Sequence, residues 1–280
     1  MTVKSVSEFA LSRIRRSVTY QRMSASSIGG LYRRLKGPQW SEDRAREVEF
    51  YRSLLCGFKQ GDTIFDVGAN TGEKAATFIQ LGARVVAVEP DELNLKRLRT
   101  RFMRFQRTHV PISIVGVAVS DREGTETMLV DGPGSALNTL STKWANTLKA
   151  DKSRIVNDID ALDFKYKKVV TTTTLDKLIE ENGAPFFVKI DVEGYELGVL
   201  QGLHRAVPYI SFEVNLPEFR EEGLQCIELL NRLHERGEFN YSSDCRLGFT
   251  DAAWLPARAF LQVLAQCDES SIEVFWRSNQ

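Results

Sequence analysis

Residues 61–94, GDTIFDVGANTGEKAATFIQLGARVVAVEPDELN, read as strand, glycine turn, helix, strand. Thr63 to Val67 is a short β-branched, apolar run carrying one acid, Asp66. Gly68-Ala69-Asn70-Thr71-Gly72 follows, and a helical pattern resumes at Glu73. Gly82 stands where a helix C-cap belongs, and Arg84 to Val88 is a second apolar run closed by Glu89 and Pro90. One βαβ unit is thus written into about 30 residues.

Two acids decide the chemistry of this unit. Glycines in the first turn let backbone approach a ligand closely, and an acid ending the second strand can take both hydroxyls of a ribose. A dinucleotide site would call for G-x-G-x-x-G, but the second and third glycine positions hold Asn70 and Glu73. That break disfavours a nicotinamide-dependent oxidoreductase. What remains is Asp66, able to accept from an ammonium group, and a turn whose amides can meet a carboxylate. A ribosylated amino acid without phosphate, such as S-adenosylmethionine, suits that set. An α/β protein with an ordinary glycine turn, and a non-catalytic binding module, stay open at this point.

Outward from the unit, Ser41 to Phe58 has helical spacing, and Asp91 to Phe105 places Leu95, Leu98, Phe102 and Phe105 on one face. Its other face, Lys96, Arg97, Arg99, Arg101 and Arg104, reads as a solvated surface rather than a nucleic-acid stripe. Pro111 to Val119 is a third strand and Gly124 to Val130 a returning one. From Asp131 to Lys168 periodicity is lost, which marks a lid or substrate segment covering the acceptor. Thr171 to Asn182 passes from strand into helix. Pro185 to Asp191 and Tyr209 to Asn215 are further strands, and Leu224, Ile227, Leu230 and Leu233 mark a helix. Phe239 to Ser242 and Ile272 to Trp276 are strand candidates in the tail. The alternation calls for an α/β fold with a doubly wound, mostly parallel sheet and ligands at the carboxyl ends of its strands.

Lys189-Ile-Asp-Val-Glu-Gly-Tyr-Glu196 crowds Asp191, Glu193 and Glu196 around one strand-to-helix turn. Like charges this close raise one another's pKa unless something compensates, so the cluster is a functional candidate, set against plain helix capping. Asp191 and Glu193 are the candidates for the base. His109, His204 and His234 read as solvated or structural. Asp191, Glu213 and Asn215 should end neighbouring strands and offer oxygen ligands of the kind Mg²⁺ accepts, so a metal-assisted variant stays open.

The 280 residues carry 37 basic and 37 acidic side chains, which argues against nucleic acid as a partner by bulk charge. No apolar run approaches the roughly 20 residues of a membrane span. Cys56, Cys226, Cys245 and Cys267 share no metal-like spacing, and a reducing, cytoplasmic setting is the simplest reading. Residues 1–36 differ: Lys4, Arg13, Arg15, Arg16, Arg22, Arg33, Arg34 and Lys36 stand against the single acid Glu8. This basic N-terminal arm, taken as residues 1–40, suits a helical extension, contact with an anionic surface, or a transit peptide. Residues 41–280 form the main domain.

FDVGANTGEKA, VVAVEPDELN, TTTTLDKLI and VKIDVEGYELGVLQG together resemble the FkbM family of S-adenosylmethionine-dependent methyltransferases, over roughly Thr63 to Glu213. The resemblance implies a class I methyltransferase, Rossmann-like fold and O-methylation of a hydroxyl on a sugar, glycan or natural product. It places Asp66, Gly68, Ala69, Asn70, Thr71 and Gly72 at the methionine end, Glu89 at the ribose with Pro90 beside it, and Val117 with Ala118 at the adenine edge. Asp191, shared with the cofactor, and Glu193 would face the transferred methyl. The arm and the 131–168 segment lie outside the match.

Overall fold

The computed structural model describes residues 38–106, 112–151, 162 and 164–279. The basic arm as far as residue 37, His109 and the middle of the 131–168 segment lie outside the described residues. Chain order gives α1 (Pro38–Leu54), β1 (Thr63–Val67), α2 (Glu73–Leu81), β2 (Arg84–Val88), α3 (Glu92–Gln106), β3 (Ile112–Val115), β4 (Ala118–Val119) and β5 (Gly124–Val130). Then come α4 (Thr142–Ala150), β6 (Tyr166–Thr173), α5 (Leu175–Asn182), β7 (Phe187–Ile190), α6 (Glu196–Gln201) and β8 (Tyr209–Asn215). The chain closes with α7 (Arg220–Leu233), β9 (Glu238–Ser242), β10 (Leu255–Pro256), α8 (Ala257–Gln266) and β11 (Ser271–Arg277).

The main sheet has the order β10-β9-β11-β8-β7-β1-β2-β3. β3, β2, β1, β7 and β8 pair in parallel, and β11 lies antiparallel between β8 and β9. Side chains alternate across each strand, so the central strands must be apolar on both faces. Phe65, Val67, Val88, Val188, Ile190 and Phe212 pack with α4 to α8. Ile64, Val85, Ala87 and Phe187 pack with α1 to α3 around Tyr51, Phe78 and Phe102. The result is a doubly wound α/β sandwich whose central strands are covered on both faces.

Three local expectations change. The third strand is two: β3 stays in the main sheet, while β4 leaves it to pair with β6 in a small sheet ordered β4-β6-β5. The break falls at Gly116, where a Cβ would stand 3.0 Å from Leu95 Cδ1, so the chain passes close to α3 and a side chain there would need Leu95 to give way. Second, the aperiodic 131–168 segment contains α4, capped by Ser141, and the start of β6. Only Trp144, Ala145 and Leu148 are buried on α4, too short an apolar stripe to show in the sequence. Third, the tail holds the amphipathic α8, with Ala257, Phe260 and Leu264 buried.

Candidate active site

Strand order runs one way from β1 to β3 and the other way from β7 to β8, so a crevice opens at the carboxyl ends of β1, β2 and β7. A cavity of about 130 Å³ occupies it. Gly68, Asn70, Glu89, Pro90, Val117, Ala118, Asp191 and Glu193 line it; Asp66, Ala69, Thr71 and Gly72 do not. The far wall comes from Met128 on β5 and from Ser135 to Leu140 of the segment that follows.

The glycine turn is shaped by its neighbours. Gly68 has φ 82°, and a Cβ there would fall 1.8 Å from the carbonyl oxygen of Asp191. Only glycine allows the first and the acidic turns to touch. The Gly68 and Ala69 N–H groups donate to the Val88 carbonyl at 3.0 and 2.9 Å. Asn70 N–H donates to Glu89 Oε2 at 2.8 Å. Arg101 clamps the turn from α3, donating to the Thr71 carbonyl at 2.9 Å and to Glu73 at 2.6 Å. These amides are spent inside the protein, so the turn offers the cavity close backbone rather than a row of free donors. Arg97 likewise turns to the Gly134 carbonyl, at 3.1 Å. Part of the basic face of α3 is therefore architectural.

Glu89 is buried at the end of β2. Its Oε1 accepts from Asp91 N–H at 2.8 Å, as Oε2 does from Asn70. Burial pushes its carboxyl up to about 7, although these two N–H groups pull it down. A carboxylate has about four lone-pair sites, so two stay available for a ligand. Asp91 in turn caps α3, accepting from Leu93 and Asn94 N–H at 2.9 and 3.0 Å.

The three acids of the second turn have separate roles. Glu196 Oε1 accepts from Val192 and Gly194 N–H at 3.1 and 3.2 Å, folding the turn onto the start of α6. Burial, with Glu213 and Asp191 nearby, pushes its carboxyl up to about 8. Asp191 Oδ2 accepts from Lys189 Nζ at 2.8 Å. Lys189 is 3% exposed; burial pulls its pKa down, but Asp191, Glu273 and Asp66 more than offset that and hold it cationic. Glu193, at φ 57°, reaches into the cavity wall with Oε2 accepting from the Trp144 indole N–H at 2.9 Å. Burial, then Glu213 and Asp191, hold its carboxyl well above the usual range.

Asp66 lies beneath the cavity, in register with Lys189 across β1 and β7. Burial pushes it up to about 6 against the pull of Lys189, and its Oδ2 has no partner among the described residues. Of the oxygen set offered for Mg²⁺, Asp191 lines the cavity, while Glu213 accepts from Ser271 at 2.8 Å and Asn215 at 3.4 Å and neither Glu213 nor Asn215 lines it. Among the described residues no group of three or more His, Cys, Asp or Glu is placed to hold a metal. His204 pairs with Asp176 at 2.9 Å and His234 follows α7, both away from the cavity.

The Methyltransferase FkbM domain matches residues 66–239, which include both turns and the 131–168 segment between them. The chain belongs to the FkbM family of S-adenosylmethionine-dependent methyltransferases. It is 28% identical over 174 residues to Hexuronic acid methyltransferase AglP of Haloferax volcanii. The match covers 61% of this chain and 62% of that relative. The solved Methyltransferase FkbM from Methylobacillus flagellatus overlays with a TM-score of 0.49 at 18% identity, covering 80% of this chain and 46% of the other. A SAM-dependent O-methyltransferase from Thermotoga maritima overlays at 0.39 and 12%, covering 82% and 64%.

The residues present fit the FkbM family's cofactor. Glu89 keeps acceptor capacity for a ribose diol, Val117, Ala118, Met128 and Leu140 form an apolar wall for a base, and Asp66, next to the lining Val67, holds a buried oxygen without a partner among the described residues. Sequence reasoning missed three groups that complete the site. Lys189 was signalled as the one charge inside an apolar strand, but the acids beside it drew the reading. Trp144 and the Asn138-Thr139 pair lie in the aperiodic segment and act through side-chain hydrogen bonds, which leave no periodic signal. No helix among the described residues is long and apolar enough to cross a membrane.

Proposed function

We propose that this chain transfers a methyl group from S-adenosylmethionine to an oxygen of a sugar, glycan or related small molecule, most directly a hydroxyl. Bound in this cavity, the cofactor supplies a methyl activated on a sulfonium. Glu89 takes the ribose hydroxyls, Val117 and Ala118 flank the adenine, and the Asp66 and Asp191 side of the glycine turn takes the amino-acid end. Glu193 accepts the proton of the acceptor hydroxyl as the new bond forms. The observation that carries this reading is the Glu193 carboxyl, lining the same cavity as Glu89 and oriented there by Trp144. A high-pKa carboxyl beside an ion-paired one is an arrangement that separates base from electrostatic partner. The printed name of the Haloferax volcanii relative, a hexuronic acid methyltransferase, supports a sugar acceptor.

The test begins with isothermal titration of S-adenosylmethionine, S-adenosylhomocysteine and NAD. Methyl-labelled S-adenosylmethionine is then supplied with a panel of neutral and uronic acid glycosides. The expected result is binding of the first two ligands only, and label that survives mild alkali, as an ether does. Alkali-labile label would move the acceptor atom to a carboxyl oxygen. Binding of NAD alone would revive the oxidoreductase, and binding without transfer across broad acceptor extracts would leave a non-catalytic module.

A further inference from the structure

The strap 131–141 crosses the cavity between its two acid-bearing turns, and two adjacent residues fasten it. Asn138 Nδ2 donates to Asp91 Oδ2 at 3.3 Å and to the Gly132 carbonyl at 3.1 Å, while its Oδ1 accepts from Asp131 N–H at 3.1 Å. Thr139 pairs with Leu129 through both backbone groups, at 3.0 and 2.8 Å. Its Oγ1 donates to the Glu193 carbonyl at 2.7 Å and accepts from Ser141 N–H at 2.8 Å. One end of this pair therefore holds the turn after β2, where Asp91 is itself bonded to Glu89, and the other holds the turn after β7. On either side of this pair, Ser135, Ala136 and Leu140 line the cavity together with Glu89 and Pro90. Leu140 also packs on the cluster of Ala118, Met128, Val130 and Val170, continuing the apolar wall that Val117 and Ala118 begin.

We propose that Asn138 and Thr139 are positioning residues for the cofactor, clasping the 131–141 strap over the adenosine half of the cavity so that release of this clasp sets the rate of cofactor departure. The inference rests on the assignment of this cavity to S-adenosylmethionine. Both side chains have their polar atoms committed to protein partners, so their effect on a ligand runs through the strap. A short loop fastened by a few side-chain bonds belongs to the low-stability end of a fold, where local opening is cheapest. A ligand that contacts only the closed arrangement shifts the loop toward it. The strap thus assigns the first part of the 131–168 segment to the cofactor, whereas the sequence suggested the acceptor.

The test uses the full chain, with S-adenosylhomocysteine and adenosine as probes. Dissociation is timed by stopped flow for wild type, Asn138→Ala, Asn138→Asp and Thr139→Val, with Thr139→Ser as the variant that keeps the hydroxyl. Loss of one hydrogen bond to a charged group is worth roughly tenfold, so Asn138→Asp, which also faces Asp91 with a like charge, should leave about tenfold faster or more. Association should stay within about threefold. Adenosine should lose as much as S-adenosylhomocysteine, and Thr139→Ser should restore the wild-type rate. Hydrogen exchange of amides in 131–141 should slow in wild type when either probe binds. Dissociation rates within twofold in folded variants, or a loss confined to S-adenosylhomocysteine, would overturn the clasp. Failure of wild type to bind either probe would instead remove the cavity's assignment.

Discussion

Asp66 and Lys189 are direct partners across the parallel pair β1 and β7, and both are buried on the face covered by α1 to α3. Lys189 donates to Asp191 two residues on, so one buried cation serves an acid below the cavity and an acid on its wall. Among the described residues one Asp66 oxygen has no partner, so the arrangement has spare acceptor capacity.

The first prediction concerns that cation. Lys189→Met keeps the length of the side chain but leaves Asp66 and Asp191 facing each other without it. Breaking a buried pair from one side costs about 3–5 kcal/mol; the Asp191 side chain is 37% exposed, which places the loss toward the lower end. Adding Asp66→Asn should recover part of it. Denaturant unfolding of the two variants checks this, and a loss under about 1 kcal/mol for Lys189→Met would show that water, not Lys189, compensates the acids.

The second prediction is a pH dependence at Glu89. Burial raises its folded pKa to about 7, above its usual value, so the folded chain holds a proton there that the unfolded chain has released. Its contribution to stability is present in acid and is lost as pH rises through about 7. Ribose hydroxyls donate to the ionised form, so binding of S-adenosylhomocysteine near pH 6.5 should release a proton, and affinity should rise with pH. Titration in two buffers of different ionisation enthalpy reads this directly. Glu89→Gln should abolish the proton release, and Glu89→Ala should weaken binding by roughly 1–3 kcal/mol.

The β1-turn-α2-β2 unit and its acid ends were legible because each element there is set by local chemistry: β-branched runs for strands, glycines where φ is positive, Glu89 at a strand end. The acidic turn was legible as a candidate for the same reason, since crowded charge shows in sequence, and Asp191 and Glu193 do line the cavity. The strap was not, because Asn138 and Thr139 gain their meaning from Asp91 and Glu193, far along the chain. The exit of β4 into a second sheet was equally hidden, because the Gly116 contact with Leu95 depends on how α3 packs.

A third prediction follows from the contact between the turns. Gly68→Ala would put a methyl against the Asp191 carbonyl and force an L residue to φ 82°. Strain of that kind costs of order 1–3 kcal/mol before the clash is counted. The turns must separate, so the variant should lose stability and cofactor binding together. Gly61→Ala, also at positive φ but with nothing within 4 Å of a Cβ, should cost only the strain and keep binding. Equal effects of the two changes on binding would sink the argument.

The fourth prediction separates the two acids on the cavity wall. Asp191 accepts from the cationic Lys189 at 2.8 Å, so Asp191→Asn should disturb the amino-acid end of the cofactor and the local field. Among the described residues no cation is bonded to Glu193, and Trp144 holds one oxygen while the carboxyl keeps a raised affinity for protons. A base of this kind must lose its proton before it can act, so single-turnover transfer should rise with pH up to a limb well above the ordinary carboxylate range. Glu193→Gln keeps size and can still accept from the indole, but it removes the base. It should lower the transfer rate by about 10²- to 10⁴-fold, the range for a positioned base, and erase the limb while leaving S-adenosylhomocysteine affinity within about twofold. Transfer at near-wild-type rates in Glu193→Gln, with the pH limb intact, would reduce this carboxyl to part of the turn and move the search for the base to Asp191.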